Sequence, residues 1–194
     1  MRTLALAETV GAIGGPDERA GLVEAARAGD RDAFERLMRQ YERLVLATAL
    51  RLVGRMEDAQ DASQEVFLKL HRNLGKLATA NVAGWLYRVT VNVCRDQRRR
   101  RPEVGLEEAG EVAAREAGPG EATEAGERRR ALELSLRLLP EKERAALVLR
   151  DLEGLSTAEV AEALGSSEAT VRSQVAKARV KVKDFVERYF RRRV

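Results

Sequence analysis

A single cysteine, Cys94, and a single histidine, His71, stand among the 194 residues. One thiol excludes an intrachain disulfide framework and fits a reducing compartment. The same scarcity leaves no zinc spacing and no nucleophile–base pair, since the two residues lie far apart without a third partner. His71 is expected as an exposed helix residue and Cys94 as core or near-core. Aromatic residues make up 4% of the chain, and no stretch alternates apolar and polar residues long enough to predict a sheet. Long apolar runs are also missing. The N-terminal MRTLALAETVGAIGGPDE is broken by Glu8 and too short to span a bilayer, so neither a signal peptide nor membrane insertion is expected. No glycine-rich phosphate loop appears. The chain therefore reads as a cytoplasmic non-enzyme, with no catalytic residue, cofactor or metal expected.

What is abundant is alanine, leucine, glutamate and arginine, which favour helices; 44% hydrophobic and 34% charged residues are ordinary for a soluble protein. The expected fold is all-α: two small helical domains joined by a flexible acidic linker, the second carrying a helix-turn-helix. The net charge of +4 is unevenly spread. Residues 95–101 read RDQRRRR and the chain ends FRRRV, whereas Glu103, Glu107, Glu108, Glu111, Glu116, Glu121, Glu124 and Glu127 face only Arg115. Two basic blocks with an acidic spacer point to two tethered polyanion contacts; solvated helix faces are the plainer account of either block.

Periodicity divides the chain into an extension at 1–20, a helical domain at 21–101, a linker at 102–127 and a second helical domain at 128–194. Phe34, Leu37, Met38, Tyr41, Leu44, Val45, Thr48, Ala49 and Leu52 fall at helical steps, closed by Gly54. A helix from about Asp58 to Leu74 follows, and Asn81 can cap another from Val82 to about Arg100, stopped by Pro102. The segment 102–127 holds Pro119 and no apolar face, so it cannot offset its ordering entropy. Further on, Pro140 opens a helix that Gly154 ends.

Three constellations carry chemistry. In STAEVAEALGSSEATVRSQVAKARVKVK (156–183), Ser156 and Glu159 form a capping box, Ala161 permits close crossing, Gly165 suits a left-handed turn, and Ser166 or Ser167 caps the next helix. On that helix Val171, Val175, Ala178 and Val182 share one side. Ser167, Ala169, Thr170, Arg172, Ser173, Lys177 and Arg179 offer small centres and cationic edges suited to a major groove. A basic exposed face on a terminal helix is the alternative. The helix at 82–101 sets Trp85 in its core stripe and Tyr87, Arg88, Asn92, Arg95, Arg98 and Arg99 on its outer face. Rings, an amide and cations together suit unpaired bases; ordinary packing accounts equally for the rings. Asp58, Asp61 and Glu65, beside Gln64, form an outward acidic stripe. It suits docking to a basic partner helix better than a metal, and a solvated face is the alternative.

Taken in order, these blocks resemble an extracytoplasmic-function sigma factor, the two-domain sigma subunit of bacterial RNA polymerase. The resemblance covers about 22–190 apart from the linker. It rests on Asp58-Ala-Gln-Asp61-Ala-Ser-Gln64-Glu65-Val-Phe67, on Gly84-Trp85-Leu86-Tyr87-Arg88-Val89 through Asn92, Asp96 and Arg98-Arg99, and on a third set. That set comprises Leu139-Pro140, Arg144 through Leu149-Arg150, Glu153-Gly154-Leu155-Ser156, Val160-Ala161, Leu164-Gly165, Thr170-Val171-Arg172-Ser173 and Ala178-Arg179.

The resemblance implies docking of Asp58, Asp61, Gln64 and Glu65 on the polymerase β′ clamp helices, and of the second domain on the β flap. It implies −10 contacts by the 82–101 helix and the 74–83 loop, and −35 contacts by the helix-turn-helix. An anti-sigma factor as a further partner and promoter DNA as ligand follow from the same resemblance. Gln174 stands where arginine is common, Ala169 where glycine is frequent, and 75–80 lacks an aromatic. A stand-alone helix-turn-helix regulator is the alternative function.

Overall fold

A computed structural model describes residues 16–77, 81–100 and 124–191. Every regular element among them is helical. Helix α1 (Pro16–Arg27) precedes α2 (Arg31–Val53), α3 (Met56–Asn73), a 3₁₀ turn at Leu74–Lys76, and α4 (Val82–Arg100). The second half comprises α5 (Glu124–Arg137), α6 (Glu141–Leu147) with a π-helical turn at Val148–Leu152, α7 (Thr157–Leu164) and α8 (Glu168–Arg191). The all-α expectation holds. Two boundaries differ from the periodicity: α1 begins at Pro16 inside the expected extension, and α5 begins at Glu124 inside the expected linker. Neither start has a strong apolar stripe to announce it. The rest of the expected linker and residues 1–15 lie outside the described residues.

Local signals explain the element ends. Asp30 caps α2 by accepting from the backbone N–H groups of Asp32 (2.9 Å) and Ala33 (3.1 Å), which intrahelical bonding leaves unpaired. Gly54, at φ 82°, closes α2 and returns its N–H to the Leu50 carbonyl at 2.8 Å. A side chain at Gly54 would also strike Arg137, whose Nε would lie 3.0 Å from a Cβ there. This position needs glycine for its dihedral, and any side chain here would crowd that of Arg137. Asn81 folds over the start of α4, its Oδ1 occupying the space a Gly84 Cβ would need. Pro140 precedes α6, whose first turn holds Glu141 and Glu143 at the positive helix end.

Leu37, Val45, Val66, Leu70, Leu86 and Val93 fill the core of the first half; Leu149, Val160, Val171 and Ala178 fill that of the second. Burying such side chains contributes about 1.5–3 kcal/mol each. The two cores are continuous. Leu52, Val91 and Cys94 from the first half and Ala145 from the second line one small crevice on the seam.

Candidate nucleic-acid and polymerase interfaces

The helix-turn-helix forms as its residues dictate. Ser156 Oγ accepts from the Glu159 N–H at 3.2 Å while the Glu159 carboxylate accepts from the Ser156 N–H at 2.7 Å, a complete capping box. These bonds hold the Glu159 carboxyl below its usual pKa. Gly165, at φ 59°, makes the left-handed turn, and the Ser166 N–H returns to the Ala161 carbonyl at 2.9 Å. Ser167 rather than Ser166 caps α8: its Oγ accepts from the Thr170 N–H at 3.2 Å and bonds the Thr170 hydroxyl at 2.8 Å.

Val171, Val175 and Ala178 pack inward from α8, leaving Ala169, Arg172, Ser173, Ala176 and Lys177 exposed. The face is therefore small-centred and cationic-edged, as its sequence predicts. Four of the residues expected to meet DNA already have partners within this half. Ser167 and Thr170 share the cap, and Arg179 makes a two-pronged pair with Asp151 at 2.8 and 2.7 Å, which raises the guanidinium pKa. Arg172 meets Glu168 one turn back at 3.0 Å.

On α4, Asn92, Arg98 and Arg99 are exposed, and Trp85 is partly buried against the core. Tyr87 departs from the expected outer face: it is 2% exposed, and its hydroxyl donates to Glu153 at 3.2 Å. Burial and the Glu153 carboxylate push the phenol pKa up, so the ring is held neutral. The helical wheel set Tyr87 beside Arg88, but the second half covers that edge of α4. Cys94 is buried as expected, and desolvation pushes its thiol up to about 12.

On α3, Asp61, Gln64 and Glu65 face solvent, with Glu65 paired to Lys69 at 2.9 Å. Asp58 departs from the expected outward stripe. It is 6% exposed and lies in the first turn of α3, where its backbone carbonyl accepts from Gln97 Nε2 of α4 at 3.2 Å. The exposed part of the expected acidic stripe is thus Asp61–Gln64–Glu65. His71 is exposed and sets its ring edge-on to Phe34, with centroids 5.0 Å apart.

Sequence reasoning missed the seam between the halves. Glu153, 8% exposed, accepts from Tyr87 and from Arg51 Nη1 of α2. Arg144, 3% exposed, donates at 2.8 Å to the carbonyls of Leu52, Arg137 and Leu139, and Arg137 donates to the Gly54 carbonyl. Arg95 Nε meets Glu141 at 2.7 Å, and Arg88 Nη2 donates to the Glu162 carbonyl at 3.1 Å. Periodicity has no reach over such separations. Nor does Arg144 stand out locally, since it follows Glu141, Lys142 and Glu143 in one charged run.

Comparison with known proteins bears on these faces. A model of sigma-70 region 2 matches residues 37–102, and one of sigma-70 region 4 matches residues 129–182. The ECF RNA polymerase sigma factor SigM of Mycobacterium tuberculosis is 40% identical over 177 residues, covering 88% of this chain and 86% of its own length. The ECF RNA polymerase sigma-E factor of Escherichia coli is 31% identical over 183 residues, covering 88% and 95%.

Two solved structures share the fold. CnrH, in complex with the cytosolic domain of CnrY, superposes with a TM-score of 0.64 at 24% identity over 87% of this chain and 96% of its own. The sigma factor RpoE, in complex with the anti-sigma factor NepR from Bartonella quintana, superposes at 0.62 with 18% identity over 79% and 96%. The region 2 match gives the first half a role that a stand-alone regulator leaves unassigned, so that alternative gains no support. With both regions in order and relatives matched along most of their length, the chain belongs to the extracytoplasmic-function sigma factors and directs promoter-specific transcription as an alternative sigma factor.

Proposed function

We propose a division of labour among the exposed faces. Asp61, Gln64 and Glu65 of α3 dock on the β′ clamp helices of core RNA polymerase, and the second half seats on the β flap. Arg88, Asn92, Arg95, Arg98 and Arg99, with Trp85 behind them, hold the unpaired −10 strand, because cations grip phosphate while an amide and a ring meet splayed bases. Ala169, Arg172, Ser173 and Lys177 approach the −35 duplex, where small residues admit the helix and the cations reach guanine edges or phosphates. The chain catalyses nothing itself, acts in the cytoplasm, and is held in check by an anti-sigma partner covering the docking faces.

The observation that carries this reading is the pairing, in one chain, of an exposed acidic–amide face on α3 with two separate exposed cationic helix faces. Run-off transcription with purified core polymerase on promoters selected from genomic DNA tests it. The expected result is a promoter-specific transcript that depends on this chain, and none from any selected promoter would overturn the reading. Gln64→Ala with Glu65→Lys should weaken core binding about tenfold or more, the size expected from losing one central contact cluster.

A further inference from the structure

Arg144 is a buried cation without an anionic partner. It is 3% exposed, and no carboxylate among the described residues pairs with it. Its two terminal nitrogens are engaged by the carbonyls of Leu52, Arg137 and Leu139. Nε is buried too, and has no hydrogen-bond partner among the described residues. Carbonyl dipoles offset part of a guanidinium's charge, but a charge taken out of water ordinarily also has a counter-ion.

Arg144 lines the small crevice on the seam, together with Cys94, Arg95, Arg98 and Glu141. The crevice volume, about 10 Å³, suits a single particle of roughly the size of water. Which particle it suits follows from the groups around it. Arg144 Nε–H and the Arg98 guanidinium can only donate, and the Cys94 thiol, kept protonated by burial, is a weak donor beside them. The one carboxylate, Glu141, is already engaged by Arg95 at 2.7 Å. Water must donate as well as accept, and here it meets too few acceptors. A monatomic anion only accepts. Three guanidinium groups against one carboxylate leave two positive charges in excess at this place, and polyatomic anions are too large for it.

We propose that the crevice between α4 and α6 binds one chloride ion against Arg144 Nε, with Cys94 beside it and Arg98 at its rim. The site takes groups from both halves, since Cys94 and Arg98 belong to α4 and Arg144 to α6. It does not depend on the polymerase or promoter assignments. An ion held by the folded chain alone stabilises it by mass action.

Thermal midpoints of the full chain test this while chloride replaces isethionate at constant ionic strength. The proposal expects a midpoint that climbs with the logarithm of chloride concentration beyond an onset. Bromide should act alike and glutamate should not. In Arg98→Gln, an exposed position, the onset should move to about fivefold higher chloride, because one nearby charge is lost. A midpoint indifferent to chloride, or the same onset in Arg98→Gln, overturns the proposal. Bromide soaked into crystals of the full chain then locates the ion by anomalous scattering. The expected peak lies beside Arg144 Nε and Cys94 Sγ. Water at that place, or bromide only at other surface cations, overturns the proposal even where the midpoint climbs.

Discussion

At the scale of single residues, two kinds of position bear weight here: caps that close helices, and buried polar groups that close the seam. Ser156 belongs to the first. Its loss leaves the Glu159 N–H without its cap and removes the partner that lowers the Glu159 pKa, so Ser156→Ala should cost about 1 kcal/mol in urea unfolding. Cys94 and Tyr87 belong to the second. Both have pKa values raised by burial, so the folded chain retains protons that the unfolded chain gives up. Their contribution is whole below the thiol's ordinary pKa near 9 and falls as pH rises from there toward about 12. Thermal midpoints should therefore drop across that range, and Cys94→Ala should flatten the first part of the drop. A midpoint that stays level above pH 9 would contradict the burial of both groups.

At the scale of elements, α8 shows what periodicity can and cannot supply. The side of α8 that packs and the side that faces out follow from Val171, Val175 and Ala178 at steps of three and four, and both were legible. Which outward groups remain available was not. A wheel treats Ser167, Thr170 and Arg179 like Arg172 and Lys177, yet the first two close the cap and Arg179 is tied to Asp151 on a different element. The same limit applies on α3 and α4, where Asp58 and Tyr87 lie on the expected outer faces but are covered by a neighbouring helix and by the second half. A wheel gives the angle of a side chain and says nothing of what else packs there.

The difference is measurable on α8. Ser167→Ala should lower stability by about 1 kcal/mol and leave promoter selection intact. Arg172→Ala should leave stability within about 0.5 kcal/mol and weaken discrimination at one −35 position by about 1–3 kcal/mol. Equal effects of the two substitutions on holoenzyme footprints would place the cap serine on the DNA after all.

At the scale of the whole molecule, Arg144 decides how the halves unfold. Its guanidinium bonds Leu52 of α2 on one side and Arg137 and Leu139 of its own half on the other, so one side chain satisfies carbonyls from both. Truncating it strands buried acceptors at about 1–3 kcal/mol each, more than an exposed ion pair contributes. With the seam intact, the continuous core should melt as one unit. Trp85 is the sole tryptophan and sits in the first half, so its fluorescence reports that half while far-UV ellipticity reports both. The two signals should trace a single urea transition in the parent chain. In Arg144→Ala they should separate, with ellipticity falling in part before the fluorescence changes, because the second half loses its own carbonyl anchors along with its hold on α2. Arg144→Lys can satisfy only part of the set and should fall between. Coincident curves in Arg144→Ala, merely shifted to lower urea, would mean that the continuous core and the remaining seam contacts, those of Glu153 and Arg137 among them, couple the halves without it, and that the buried guanidinium serves its own half only.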